Sequence, residues 1–380
     1  MVKGMQQTDI GLIPEDWEVV MIGEIANVVV GGDVDLNTFS EVQDSEYTYP
    51  IYSNTVTNYG LYGYSSDYKS NAYAVTIVGR GIGIGKAFKR NGRFTAIGRL
   101  IVVELSKNIV NNTFLENYIN SYLEIYDESG GIPQLTGIAL AKYQIPLPPL
   151  PEQEAIANAL SDADAWIESL EQLIAKKRLI KKGAMQKLLT PKDDWEVKTL
   201  GEVGEVRMCK RVFQYQTSEY GEIPFYKIGT FGKTPDAFIT RKHYEDFKSR
   251  FFYPNKGNIL ISAAGTIGKT VVYDGEESYF QDSNIVWIEN QEKIVTDAFL
   301  KYVLDVIKYN TEGGTIQRLY NSILRSTMFH CPPLSEQTRI ATILSDMDTE
   351  IEALEAQLDK ARQIKQGMMQ ELLTGRIRLL

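Results

Sequence analysis

The chain is poor in the residues on which most catalytic and metal-bound proteins depend. It holds only two cysteines, Cys209 and Cys331, and two histidines, His243 and His330. Two cysteines cannot build a disulfide framework and read as reduced packing residues. No Cys/His cluster has metal-ligand spacing, so no metal is expected. No apolar run is long enough to span a membrane. The segment from Met1 to Gly11 lacks a basic-then-apolar leader pattern, so a cytoplasmic protein is expected. Positive charge is also short: 40 Lys and Arg against 49 Asp and Glu give a formal charge of −9. A uniformly basic nucleic-acid binder is disfavoured, and any such site must be local.

What is present is an internal repeat. Pro148-Pro149-Leu150-Pro151-Glu152-Gln153 opens a run that closes at Leu188-Leu189-Thr190, and Pro332-Pro333-Leu334-Ser335-Glu336-Gln337 opens one that closes at Leu372-Leu373-Thr374. The copies align without a gap at an offset of 184 residues. Both carry apolar residues in a 4,3 rhythm, the signature of a coiled-coil seam. The first is Ile156, Leu160, Ala163, Ile167, Leu170, Ile174 and Leu188; the second is Ile340, Leu344, Met347, Ile351, Leu354, Leu358 and Leu372. The prolines fix each helix start, and Glu152 and Glu336 suit the positive N-terminal end.

The segments ahead of the helices repeat as well. Asp16-Trp17-Glu18-Val19 is answered by Asp194-Trp195-Glu196-Val197, and Gly83-Ile84-Gly85-Lys86 by Thr266-Ile267-Gly268-Lys269. Gly130 to Gln134 is answered by Gly313 to Gln317. Residues 73–78, 100–104, 258–262 and 285–288 read as strands. Residues 114–126 and 297–309 read as one helix per unit. The expected order is a globular unit (1–147), a helix (148–190), a second globular unit (191–331) and a second helix (332–380). Each unit is of mixed α+β class. The second unit begins where the first helix ends. A helix of roughly 50 to 55 Å at ~1.5 Å per residue therefore favours antiparallel pairing, because parallel rods would need the second unit to carry the chain all the way back. The expected fold is thus two similar α+β domains separated by an antiparallel coiled coil, with a pseudo-two-fold repeat and the chain's start beside its end.

This arrangement resembles the specificity (S) subunit of Type I restriction-modification systems, over nearly the whole chain. The most specific parts are Pro148–Gln153 with Pro332–Gln337, the helices behind them, and Thr266–Lys269. The resemblance implies that each globular unit is a target recognition domain reading one half of a split double-stranded DNA site. It implies that the helices act as a spacer ruler and as the dock for two DNA-adenine methyltransferase subunits, to which restriction subunits can add. S-adenosylmethionine would then sit on the partner methyltransferase, with no cofactor in this chain. Arg80 to Lys86 is glycine-richer than the family's usual turn.

Candidate DNA-contacting residues fall into three groups. Lys86, Lys89, Arg90, Arg93 and Arg99, with Phe88 and Phe94 interleaved, stand out in a region (1–150) holding 10 Lys/Arg against 16 Asp/Glu. They suit a phosphate-tracking face or, equally, a solvated hairpin. In the second unit Lys210, Arg211, Lys227, Lys233, Arg241 and Lys242 are more dispersed. Base-edge readers would be Ser53, Asn54, Asn58, Tyr59, Gln134, Ser283, Asn284 and Gln317, with Arg99 and the stretch Gln281 to Asn284 at equivalent places in the two halves. The stretch Ala263 to Thr270 nearly matches a phosphate loop. It reads as a tight turn or as one whose Lys269 touches a DNA phosphate, and nucleotide hydrolysis is the enzyme alternative. A methyltransferase would need a Pro-Pro-aromatic motif, but these Pro-Pro pairs precede Leu150 and Leu334. A purely structural coiled-coil adaptor is the remaining rival. Asp162/Asp164 and Asp346/Asp348 suit a solvated flank or a docking surface, and Trp17 and Trp195 suit packing anchors.

Overall fold

The computed structural model describes residues 4–123, 134–309 and 318–379. It divides into two compact units, Met1–Gln172 with Glu355–Leu380, and Leu173–Leu354. Each unit therefore holds a globular domain and part of both long helices. None of the described helices is long and apolar enough to cross a membrane.

In the first unit seven strands form one sheet, in the order 26–30, 101–105, 70–77, 87–96, 49–52, 61–65 and 39–40. All neighbours are antiparallel except Tyr49–Tyr52 against Ala87–Ala96. The β-branched face of this sheet (Val75, Ile77, Ile101, Val103) buries against Phe114 and Leu115 of the helix Asn112–Tyr122. Asn111 caps that helix, its side chain accepting from the amides of Thr113 and Phe114, the usual role of Asn at this position. The helix is shorter than expected from sequence: it ends at Tyr122, and residues 124–126 lie outside the described residues.

The second unit repeats this frame with one break. Strands 204–208, 285–290, 259–262 and 270–272 form a sheet, and 217–218, 238–239, 223–226 and 279–280 form another. The parallel pairing of Phe225 with Tyr279 and Tyr226 with Phe280 corresponds to that of Ile51 with Thr95 and Tyr52 with Ala96. The single strand Ala87–Ala96 is here split by Tyr273–Ser278, where Gly275 takes φ +94°. The helix Asp297–Val306 packs through Phe299, Leu300 and Val303. It stops before Tyr309, contrary to the sequence expectation. The extended Ile307 lets Tyr309 lie against Gly268, where a Cβ would stand 2.7 Å from the ring.

Two helices of 39 residues, Leu150–Leu188 and Leu334–Leu372, follow the two domains. Each ladder starts on a proline carbonyl. Pro149 accepts from Glu152 and Gln153, and Pro333 from Glu336 and Gln337. Each ends where a threonine hydroxyl, Thr190 or Thr374, returns to the carbonyl four residues back.

Within each unit the two helices run antiparallel. In the first, Lys365 meets Asp164 and Arg362 meets Glu171; in the second, Lys181 meets Asp348 and Lys177 meets Glu350. Ile156, Leu160 and Leu372 enter the core of the first domain, and Ile340 and Leu344 that of the second, with Leu188 and Met347 at its margin. Ala163, Leu170, Ile174, Ile351 and Leu358 are also buried, while Ile167 and Leu354 are half-buried. Asp162, Asp164 and Asp346 are exposed, as a solvated flank requires, whereas Asp348 is half-buried and departs from it. Asp348 also accepts from Lys301 at 3.1 Å and from the Tyr302 hydroxyl at 2.9 Å.

A short antiparallel pair seats each domain on its helix: Glu18–Met21 with Gln144–Leu147, and Glu196–Thr199 with Met328–Cys331. Trp17 is 1% exposed and donates through Nε1 to Glu152 at 3.0 Å. Arg378, from the chain's C-terminal tail, holds Glu152 and grips both Asp16 oxygens at 2.8 and 2.7 Å. The hydrogen bonds from Arg378 pull the Asp16 carboxyl below its ordinary pKa. Trp195 is buried likewise, but its Nε1 has no partner, and Glu336 turns to Lys192 and Arg339.

Candidate nucleic-acid interface

In the first unit, hydrogen bonds knit three loops together around Asn54. Its Oδ1 accepts from the Gly79 amide at 2.9 Å, and its Nδ2 donates to the Gly98 carbonyl. The Leu135 amide donates to the Gly79 carbonyl at 2.8 Å, and Gln134 bridges Arg80. Loops 53–60, 79–86 and 97–100 thus form one surface. Left-handed backbone concentrates there: Asn58 (+46°), Tyr59 (+52°), Gly81, Gly83, Gly85, Gly98 and Arg99 (+66°). Such strain in non-glycine residues persists only where the surroundings over-determine it, and it gathers at functional sites. At Gly83 the close approach is explicit, because a Cβ would lie 2.3 Å from Val56.

The basic stretch is divided by the pleat. In a strand alternate side chains face opposite ways, so Phe88, Arg90 and Phe94 are buried while Lys89 and Arg93 are exposed. Arg90, expected among the DNA contacts, is a correction. It is 7% exposed, stacks 3.7 Å over Tyr52, and donates to the Thr76 hydroxyl at 3.0 Å and to the Tyr59 carbonyl. It braces the strained loop from beneath. Asn54 is likewise a brace, and Ser53 is half-buried in the same loop. The exposed members are Asn58, Tyr59, Lys86 and Arg99 on the loops. Along the strand, Lys89 reaches Thr113, and Arg93 donates to the Tyr49 hydroxyl and lies over Tyr68.

The second unit builds the same surface from different side chains. The Gln281 amide donates to the Tyr226 carbonyl, as the Ile97 amide does to Tyr52. The Leu319 amide donates to Ala263, and Arg318 bridges Ala264, matching Leu135 and Gln134. Ser283, at φ +54°, occupies the place of Arg99 and accepts from Arg318 at 3.1 Å, with Asn284 half-buried beside it. Gln317 lies outside the described residues.

Lys269 does not stand free. Its ammonium donates to the Phe231 carbonyl at 2.6 Å and ties two loops together. The amides of Gly268 and Lys269 are taken by Ser262, at 2.9 and 2.8 Å, and the Thr270 hydroxyl donates to Asp305. A phosphate loop needs such amides to point at the ligand, so this turn is closed on itself. Burial pushes the Cys209 thiol up to about 12, leaving it protonated and inert as a nucleophile. Among the described residues no group of His, Cys, Asp and Glu could hold a metal ion.

Several cations of the second unit are paired. Arg211 meets Asp282 at 2.9 Å, Lys227 meets Asp236 at 2.9 Å, and Arg241 takes both oxygens of Glu277. Lys210 lies 5.0 Å over Phe251. Lys242 is exposed on the helix Arg241–Arg250, and Lys233 lines a cleft of ≈ 260 Å³ with Tyr226, Phe231 and Phe280. Sequence reasoning missed Phe213, Tyr215 and Tyr220, which are 49%, 83% and 86% exposed. Phe213 and Tyr215 stack at 5.7 Å and 6°. A groove of ≈ 660 Å³ lined by Val212, Gln214, Lys227 and Gln281 opens beside them. The density of aromatics just after Lys210-Arg211 was the available signal.

Comparison with known proteins places these two domains. The family model of the Type I restriction modification DNA specificity domain matches twice, over residues 14–177 and 192–363. A Haemophilus influenzae protein named as a type I restriction enzyme specificity subunit is 43% identical over 269 residues, covering 68% of this chain and 69% of its own length. The type I restriction enzyme MjaVIII specificity subunit of Methanocaldococcus jannaschii is 25% identical over 411 residues, 97% of this chain and 94% of that one. The crystal structure of a Type-I restriction-modification system S subunit from M. genitalium shares the fold, with a TM-score of 0.63 at 18% identity, covering 94% of this chain and 96% of that one. With two matched domains and the same fold, the chain belongs to the Type I restriction-modification DNA specificity family.

Proposed function

We propose that this chain is the non-catalytic subunit that gives a type I methyltransferase complex its DNA sequence. Each globular domain reads one half-site of a bipartite double-stranded target through its knitted loops. The paired helices serve as the spacer ruler and as the dock for two methyltransferase subunits, which carry S-adenosylmethionine and to which restriction subunits can add. The half-sites are unlike, so the target is asymmetric. One observation carries this reading: two loop clusters share a backbone framework but present different groups, Arg99 in one and Ser283 in the other, both left-handed. A common frame with exchanged tips is what reading two different sequences requires, since arginine suits guanine and smaller hydroxyls are tolerant. Lys86, Lys89 and Arg93 would supply phosphate contacts on the first side, and Lys210, Lys233 and Lys242 on the second. The exposed Tyr59, Phe213 and Tyr215 suit contact with sugar and base faces.

The test uses the complex assembled with its methyltransferase. Arg93→Glu with Arg99→Glu is expected to weaken binding by about 100-fold or more, as the loss of one base contact and one phosphate contact implies. Footprinting should show the loss concentrated on one half-site. Unchanged binding would favour a structural adaptor, and a continuous footprint with no unread spacer would overturn the bipartite reading.

A further inference from the structure

The Glu-Gln pair that heads each long helix divides its labour, and the glutamine does the same thing in both units. Gln153 is 0% exposed, and its Nε2 donates to the carbonyls of Ile109 at 3.1 Å and Pro148 at 2.8 Å. Its Oε1 accepts from the Asn111 amide at 2.9 Å. Gln337, also 0% exposed, repeats this contact for contact: Ile294 at 2.9 Å, Pro332 at 2.8 Å and the Thr296 amide at 2.9 Å. Both N–H groups and the carbonyl of each amide are engaged. The neighbouring glutamates, by contrast, take different partners in the two units, Trp17 and Arg378 for Glu152 but Lys192 and Arg339 for Glu336.

The three contacts join two pieces of chain, the head of the rod and the segment that enters the domain helix. Pro148 and Pro332 lie at the head of the long helix, and Ile109 and Ile294 in the loop that leads to the domain helix. Asn111 and Thr296 are that helix's N-caps. Beside the short antiparallel pair that seats each domain, one buried amide therefore ties the domain helix to the head of its own rod. In a dry site a rotated domain would leave buried donors and acceptors unpaired, so intermediate angles are disfavoured and not merely softer. A tilt of ~10° at a clamp about 20 Å from the loops displaces them by ~3.5 Å, close to one base-pair step of about 3.4 Å.

We propose that Gln153 and Gln337 are positioning residues for spacer discrimination. They touch no DNA, yet by setting the angle of each domain on its helix they decide how sharply a target with the wrong spacer is rejected. This rests on the half-site reading above.

The experiment uses the full chain assembled with its methyltransferase and a ladder of duplexes. The duplexes carry the same two half-sites with the spacer lengthened or shortened one base pair at a time. Gln153→Met and Gln337→Met keep the side chain's length and remove its hydrogen bonds. The native complex should methylate one spacer length preferentially. Each variant should bring the neighbouring lengths to within about tenfold of the optimum, while base changes within a half-site remain rejected as before. A profile lowered equally at all lengths would mean a merely structural role and would overturn the inference. A native complex indifferent to spacer length would instead take down the half-site reading itself. Should a methionine variant fail to assemble, Gln153→Asn, which keeps the amide on a shorter stem, is read by hydrogen exchange of the free chain. The amide of Asn111 should exchange at least about tenfold faster, and unchanged protection there would count against the clamp.

Discussion

Arg90 and Arg93 stand three residues apart in one strand and do opposite things. Arg90 points inward, where burial pulls its pKa below the ordinary arginine value, and it holds the Tyr59 carbonyl at the base of a left-handed loop. Arg93 is exposed beside Tyr49 and Tyr68. Replacing Arg90 with methionine leaves the Tyr59 carbonyl without its donor and takes one of two partners from the buried Thr76 hydroxyl, at a cost of about 2 to 4 kcal/mol. The same change at Arg93, on the exposed side of the strand, should leave stability nearly unchanged. Denaturant unfolding of the two variants checks this, and equal losses would mean that the brace is not one. From sequence the stretch from Lys86 to Arg99 looked like a single basic face, because charge was counted without the pleat. The inward set was legible in principle, since Phe88, Arg90 and Phe94 share one parity. Asn54 was not legible, because its partners Gly79 and Gly98 lie 25 and 44 residues away.

The long helices were the most legible elements, because a 4,3 repeat sustained over this length has few other solutions. What the pattern did not reveal is how the seam gives way to charge. Lys177, Lys181 and Lys365 fall at seam positions yet reach Glu350, Asp348 and Asp164 on the facing helix. The long aliphatic stem of lysine covers the seam while its ammonium finds a partner at the edge. Glu152 and Gln153 were read as helix-start residues. Their real contacts lie with Trp17, Ile109 and Arg378, far off in sequence and so invisible to periodicity.

The tail after the second helix offers a pH test. Asp16, held down by Arg378, favours the latched tail wherever it is ionised. Because its folded pKa is depressed, that contribution is fully present above the unfolded value of about 3.9 and is lost as pH falls through the lower folded value. Hydrogen exchange over residues 375–379 should therefore show protection from pH 8 to 5 and its loss only below about pH 4. Arg378→Ala should abolish the protection at every pH, because it also strands the buried Glu152 carboxylate. Protection already lost near neutrality would show that another group latches the tail.

For the molecule as a whole, the question is where the chain is obliged to be continuous. In the first unit the two ends meet. The Glu15 amide donates to the Gly4 carbonyl at 3.0 Å, Gly375 lies against Pro14 and Trp17, and Arg378 grips Asp16. In the second unit the corresponding place is an exposed covalent link, Pro191 to Asp194, between the first helix and Trp195. One seam is closed by hydrogen bonds and the other by peptide bonds. Joining the termini through a short linker and opening the chain between Thr190 and Pro191 exchanges the two. The opened seam would keep the Lys192–Glu336 pair, whose Lys192 is largely exposed and which is worth at most about 1 kcal/mol. Closing the other end adds little, since loop-closure entropy changes by only ~0.6 kcal/mol per doubling of length. The permutant should therefore fold, with the helix content of the parent and cooperative thermal unfolding. Circular dichroism and a melting curve check this. A permutant that recovers no folded fraction would show that the Thr190–Asp194 link, unlike its hydrogen-bonded counterpart, must be covalent.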